Sequence, residues 1–539
     1  MIGASDLIAG IARSDGEDVL EPVLAAAGVK EPRMSRRAGA SFCAHADSPD
    51  ELARLRRLWR IVVGVSYPGL EFSDIEPVKA ETDLEAAKLA YSRLTAVREN
   101  STAFLPPTGH PFTVTNPRTG LIAIDRPRQD ASRYLDAVGA PAHRRGEALS
   151  DDASLDRLAA AFLPPSSPVQ GEDAEAAPPL RFPRHFDPED ATARNPSFPF
   201  TGNDRRIGVI HADLSGLGQV FQSLMGSAES SRDIFEVAKA IERAIVNAAR
   251  AACDGVLLPR AIDPSRDPKR FGCLLGKHGK SADEYPMRIV PARPVLLGGD
   301  DLTIIVRADL AIAFSEWFLQ EVESQTACEF RNLKERFPDL PERLSACAGI
   351  AIVSAGHPFT AAERLAEGLC DSAKTRAKAD PAEVPYPSWL DFAVVTSTID
   401  ESLASWRDRE QTIAADGTTR QPLSIAAGPR RVQQAGATGG GDSLRSLLDL
   451  AKALNAAPGR GKLLEALGLR HESKDAAGEA WNRFWEVLSD NPDARDELRD
   501  ALATCSPGST GSTDGPPDID RCIAVVSDAL ELLDIGAAP

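Results

Sequence analysis

The chain has 539 residues, enough for two to four domains with real cores, and its 43% hydrophobic and 26% charged residues are ordinary for a globular protein. A formal net charge of −18 excludes a broad basic face for nucleic acid, although it leaves room for a local basic groove. No apolar run approaches the roughly 20 residues of a membrane span. The N-terminal stretch MIGASDLIAGIARSDGEDVL has no basic region followed by an apolar core, so no signal peptide is expected. The eight cysteines (43, 253, 273, 328, 347, 370, 505 and 522) form no CxxC pair. That pattern fits free thiols in a reducing cytoplasm, with no zinc expected and no membrane partner.

In chain order, residues 1–145 mix helix and strand. SPDELARLRRLWRIVVGV predicts a helix running into a strand, and DLEAAKLAYSRLTAVREN places Leu84, Ala87, Leu89 and Leu94 at helical spacing. Residues 146–204 are rich in Pro, Ser and acid and predict a linker without a core of its own. Residues 205–400 predict an α+β unit. RIGVIHADL is an apolar strand ending in polar residues, SGLGQVFQSLM turns into a helix, and DIFEVAKAIERAIVNAARAA is a longer amphipathic helix. PVLLGGDDLTIIV is a strand, a tight turn and a second strand. A long helix, the strand LSACAGIAIVSA, a helix opened by a Thr360/Glu363 capping box and the strand WLDFAVV complete the unit. The order predicts an antiparallel-rich sheet with helices on one face, as in ferredoxin-like palm domains. Residues 401–539 predict a mostly helical C-terminal domain.

The chemistry concentrates in the middle unit. Asp213 ends the strand RIGVIHAD, while Asp300 and Asp301 sit at the hairpin tip. If those strands are neighbours, three carboxylates converge at one sheet edge, where they repel and raise one another's pKa. Divalent cations remove the conflict, and carboxylate oxygens are the ligands that magnesium and manganese prefer. Two such ions activate a sugar hydroxyl and stabilise a leaving pyrophosphate. The backbone carbonyl of Leu214 is a candidate further ligand. Gly298 and Gly299 allow a tight turn and close approach of a ligand. SGLG, comprising Ser215, Gly216 and Gly218, opens a helix whose first amides suit a triphosphate, and Lys374 is placed to neutralise phosphates. A surface turn also accepts Gly-Gly-Asp-Asp, and a lone strand-end Asp is often a helix cap; the combination favours a metal site. GCLLGKHGKS has Leu274 where a P-loop needs glycine. No adjacent His-Asp pair supports a phosphohydrolase; His45 and Asp47 read as a strand end, and His211 as structural or lining the site. NPRTG (116–120) reads as a turn, and Arg144 and Arg145 as a solvated loop.

VIHADLSGLGQVF, RPVLLGGDDLTIIV and SACAGIAIVSAGHPFTAAERLAEGLCDSAKTRAK resemble, in order, the catalytic second palm of the large polymerase/cyclase-like subunit of type III CRISPR effector complexes. That palm is related to GGDEF diguanylate cyclases. More weakly, GASDLI, SFCAHADSPDELARLRRLW and PPTGHPFTVTNPRTG resemble the family's inactive first palm, and PLSIAAGPRRVQQAG the start of its helical C-terminal domain. The resemblance implies that Asp213, Asp300 and Asp301 bind two Mg or Mn ions, that Gly298 and Gly299 shape the nucleotide site, and that Lys374 contacts phosphate. It implies conversion of ATP to cyclic oligoadenylate second messengers with release of pyrophosphate, in antiviral defence. Implied partners are a guide-RNA-containing complex with small CRISPR-type subunits and an effector activated by the cyclic nucleotide. Departures from the family pattern are Ser215, where many relatives have Asp or Asn, and Leu214, where close relatives often have Gly; neither an HD nuclease domain nor a cysteine-rich zinc element is recognisable in the sequence, so no DNase activity is expected. Two alternatives stay open: a non-catalytic palm scaffold in a CRISPR-like ribonucleoprotein, and a diguanylate-cyclase-like enzyme using GTP.

Overall fold

The computed structural model describes residues 19–30, 32–38, 41–67, 72–99, 113–116, 121–126, 134–136, 140, 155–163, 178–189, 191, 196–201, 204–227, 231–275, 287–380, 383, 385–396, 402–413, 423–424, 427–434, 440–470, 472–506 and 515–537. GASDLI, GKHGKS, most of NPRTG and the Arg144–Arg145 pair lie outside the described residues.

The middle of the chain forms a six-stranded sheet. Its strands are β1 (Arg206–Ser215), β2 (Ala292–Gly298), β3 (Asp301–Arg307), β4 (Ser345–Ser354), β5 (Trp389–Val394) and β6 (Arg430–Arg431), in spatial order β6-β5-β4-β1-β3-β2. β1 is antiparallel to both β3 and β4, and β2 is antiparallel to β3. The four-strand order β4-β1-β3-β2 is that of a ferredoxin-like split βαβ unit, extended by β5, which runs parallel to β4. Pro294 falls on edge strand β2, where its missing N–H is tolerated, and the register of β2 shifts between Pro294 and Leu296.

Alternation along the strands assigns the faces. Ile210, Ala212 and Leu214 of β1, with Leu302, Ile304 and Val306 of β3, join the larger core. Helices α1 (Leu217–Ser227), α2 (Ser231–Ala252) and α3 (Ala308–Leu333) add apolar residues to that core. Helices also cover the opposite face, beyond the one-sided layering that the sequence predicts: Leu403–Glu410 with Trp406, and a longer one. The longer one is α4 (Phe359–Ala377), which packs Leu365, Ala366 and Leu369 against Val209, Ile305 and Ala351. The reason is that β4 is buried at nine consecutive positions, so both faces of the sheet need cover. Gly349 of β4 sets the helix-to-sheet distance, because a Cβ there would lie 1.9 Å from the Ala366 carbonyl oxygen.

Three local expectations change. SPDELARLRRLWRIVVGV is a single helix, Pro49–Ser66, with no strand at its end. Leu55, Trp59 and Val63 recur every four residues and bury against Leu20, Val23 and Leu24, and that packing overrides the strand preference of Ile61, Val62 and Val63. Thr360 is not the cap of α4: the helix begins at Phe359, and Pro358 supplies the carbonyl that accepts from the amides of Ala361 and Ala362. In the segment predicted as a linker, Phe162, Phe182 and Phe198 are buried in the two cores of the sheet, and Leu180–Arg181 pairs with Arg288–Ile289. Its aromatics bury against a neighbour's core because the segment has too few apolar residues for its own.

C-terminal helices Leu444–Ala456, Lys474–Leu488, Pro492–Cys505 and Ile519–Asp534 share the larger core. Near the N-terminus, hairpin Arg33–Ala38/Ser41–His45 and helix Pro49–Ser66 form a separate small core. No helix among the described residues is long and apolar enough to cross a membrane.

Candidate metal and nucleotide site

The hairpin closes on Gly298 paired with Asp301, leaving Gly299 and Asp300 as a two-residue loop. Gly299 has φ +66°, the left-handed conformation that the first loop position of a primed turn requires. On the neighbouring strand, Asp301 is the direct partner of Asp213, and Asp213 in turn is the direct partner of Cys347 on β4. Directly opposed residues share a face, so both carboxylates project on the α4 side of the sheet.

Oxygens of Asp213, Asp300 and Asp301 all lie within 4.8 Å of one another. All three residues are half-buried. Burial raises the Asp301 carboxyl, and the adjacent Asp300 and Asp213 push it further, to about 6. Burial and then Asp213 raise Asp300 as well, partly offset by its own backbone hydrogen bond, Arg36 and Lys374. A cluster that resists ionisation in this way fits a hard divalent cation, whose charge removes the repulsion and whose preferred ligands are carboxylate oxygens.

Lys374 reaches the cluster from α4 and donates from Nζ to Asp213 Oδ2; each side chain is 21% exposed. Burial works against the ammonium, but the hydrogen bond to Asp213 and the nearby Cys370, Asp213 and Asp371 outweigh it and raise the Lys374 pKa. Of the other predicted residues, Leu214 buries its side chain in the larger core, so only its backbone is available. Ser215 is buried, with its Oγ 3.3 Å from Cys347 Sγ. The sequence resemblance gave no hint of that contact, which directs the hydroxyl into the protein. Gly216 has φ +78° at the entry to α1, and Gly218 lies in the first turn. A Cβ at Gly218, Gly298 or Gly299 would meet nothing within 4 Å, so open space lies in front of both glycine-bearing turns. His211 sits two pairs further in, on the same face, with Nδ1 3.3 Å from Thr303 Oγ1.

A cavity of about 1290 Å³ opens on Gly298, Gly299, Asp300 and Asp301. Its far wall comes from the N-terminal part of the chain, including Arg33, Arg36, Trp59 and Tyr91. Sequence reasoning passed over Arg36, whose only signal is its place in a run of arginines (Arg33, Arg36, Arg37). It also passed over Tyr386, whose ring a Cβ at Gly216 would approach at 3.6 Å and whose hydroxyl lies 3.4 Å from Gln219 Nε2.

No family model matches the chain, and no curated protein does. Among solved structures it resembles Csm1 in a Csm1–Csm4 cassette in complex with cA4, at 14% identity and a TM-score of 0.40, over 99% of this chain and 68% of that one. Csm1 in T. onnurineus resembles it to the same degree, at 14% identity and a TM-score of 0.40, over 99% and 68% of the two chains. A cassette in complex with cA3 gives a TM-score of 0.38 at 14% identity, over 99% and 69%.

Proposed function

We propose that the chain is a metal-dependent nucleotidyltransferase that converts ATP to a cyclic oligoadenylate, or another cyclic nucleotide, with release of pyrophosphate. The observation that carries the proposal is the convergence of Asp213, Asp300 and Asp301 within 4.8 Å of one another, with Asp300 and Asp301 lining a cavity of about 1290 Å³. In this reading residues 205–400 are the catalytic palm, 1–145 a degenerate first palm, 146–204 the connection and 401–539 a helical domain. The oligoadenylate product, the CRISPR-type multi-subunit setting with a guide RNA and small subunits, and a nucleotide-activated effector rest on the motif resemblance.

Asp213, Asp300 and Asp301, with the Leu214 carbonyl, would hold two Mg or Mn ions. Bound there, the ions would supply activation of a sugar hydroxyl and charge stabilisation for the departing pyrophosphate. The chain's own part is positioning. The antiparallel pairing of β1 and β3 fixes Asp213 opposite Asp301. The glycines of both turns leave room for phosphates to approach the backbone. The first amides of α1 would be open to phosphate oxygens, with no side chain at Gly216 or Gly218. Lys374 adds a cation at the same edge. Arg36, across the cavity, adds a second positive charge acting on Asp300.

The test is incubation of the purified protein with ATP and Mg²⁺ or Mn²⁺, with and without RNA, read by pyrophosphate release and mass spectrometry of products. A cyclic adenylate product supports the proposal. A product from GTP alone would replace ATP by GTP, and no product under any of these conditions would leave a scaffold role.

A further inference from the structure

The position of Lys374 adds a regulatory element to the proposed metal site, and its role rests on that site. The ammonium of Lys374 is hydrogen-bonded to Asp213 Oδ2 itself, an oxygen that the proposed metal site needs. The contact is built in. The Cys370 thiol, one turn earlier on α4, donates to the carbonyl oxygen of Cys347 at 3.3 Å, and Cys347 is the cross-strand partner of Asp213. Gly349 lets the same helix lie directly on β4, since a Cβ there would come within 2.4 Å of the Cys370 amide nitrogen. Helix and strand are therefore locked at the level where Lys374 meets Asp213. The other charged groups facing the ammonium are Asp371 on its own helix, and Asp300 and Asp301 across the cluster.

We infer that Lys374 is an exchangeable counter-ion: in the metal-free protein it occupies Asp213, and cation binding displaces it toward the phosphates of the incoming nucleotide. Two divalent cations and an ammonium cannot share the same carboxylate oxygens without strong like-charge repulsion. Triphosphate oxygens are the acceptors that arrive as the ammonium leaves. Nucleotide and cation then help each other bind, because each favours the state in which Lys374 has left Asp213.

The test is Mn²⁺ titration of the full chain without nucleotide, followed by electron paramagnetic resonance of the free ion, with melting curves to show that each variant is folded. Lys374→Met should bind Mn²⁺ about tenfold more tightly than wild type, the scale of one charge-assisted hydrogen bond. Lys378→Met removes the same charge one turn on, at an exposed position, and should stay within about twofold of wild type, as expected for a screened surface charge. Lys374→Arg keeps the charge and should remain closer to wild type than Lys374→Met. A non-hydrolysable ATP analogue should tighten Mn²⁺ binding more in wild type than in Lys374→Met. Equal affinity of Lys374→Met and wild type overturns the inference, as does equal tightening in Lys378→Met or Lys374→Arg. Wild-type protein that binds no Mn²⁺ overturns the metal site first, and this inference with it.

Discussion

Asp213 and Asp301 face each other directly across β1 and β3, with Gly298 beyond Asp301 and Cys347 beyond Asp213 in the same row of the sheet. The row sits against the apolar interior: Ala212 and Leu302, one position further in, are buried. Two acids in register at such a place repel in the absence of a cation, and Asp300 on the adjoining loop increases the repulsion.

Asp213→Asn separates two roles for that residue. A helix cap would tolerate Asn, which caps about as well as Asp. A ligand to two cations would not, and the rate should fall by about 10³-fold or more, since each 1.4 kcal/mol lost is about tenfold. The structure speaks against the cap, because Asp213 lies within a strand and α1 begins only at Leu217. Pyrophosphate release and thermal melting should be measured together; lost activity with an unchanged fold is expected.

Asp300→Ala combined with Asp301→Ala should abolish synthesis and leave the fold intact, because neither side chain belongs to an apolar core. In the absence of metal the double variant should melt higher than wild type, as removing two of three clustered carboxylates relieves repulsion. Calorimetry with a chelator present reads this directly, and a lower melting temperature would contradict it.

The pH dependence of metal-free stability follows from Asp301. Its folded pKa, raised from 3.8 to about 6, means that the folded state holds the proton more tightly than the unfolded chain. Its contribution to stability is therefore fully present below pH 3.8 and is lost as pH rises through about 6. Asp301→Asn should flatten that part of the stability curve. Mn²⁺ affinity should rise over the same interval, because the cation takes the deprotonated carboxylate. Chemical denaturation from pH 4 to 8, with and without Mn²⁺, checks both slopes.

Gly349→Ala should damage the site from a distance. Its Cβ would fall 1.9 Å from a backbone oxygen of α4, so the helix must move, at a cost of about 1–3 kcal/mol or more. Moving α4 also carries Lys374 away from Asp213. The expected result is a lower melting temperature together with weaker nucleotide use. Gly298→Ala, where a Cβ meets nothing within 4 Å, should melt close to wild type.

Gly299→Ala tests the turn itself. At φ +66° an alanine is strained by about 1 kcal/mol, although the space around it is open. Stability should fall modestly, while activity should fall further if the loop sets the position of Asp300. A melting temperature and a rate that drop in strict proportion would assign the effect to folding alone.

Much of this protein was legible in its local pattern. Alternating or continuous apolar runs marked β1, β3, β4 and β5, and helical spacing marked α2, α3 and the C-terminal helices, because those periods follow from backbone geometry. The acids at the end of RIGVIHAD and at the Gly-Gly-Asp-Asp turn were visible for the same reason: each interrupts an apolar strand where a buried charge needs compensation. What the local pattern could not hold was which strands are neighbours and in what register. Only the order β4-β1-β3-β2 brings Asp213 opposite Asp301, and a slip of one residue would have turned Asp213 to the other face. The Lys374–Asp213 pair, the Arg36 wall of the cavity and the burial of Phe162, Phe182 and Phe198 likewise depend on contacts between segments far apart in the chain. The stretch through Ile61, Val62 and Val63 shows the same rule at small scale. Its residues favour a strand, but the stripe Leu55, Trp59 and Val63 finds an apolar partner only as a helix, and the burial of that stripe decides the conformation.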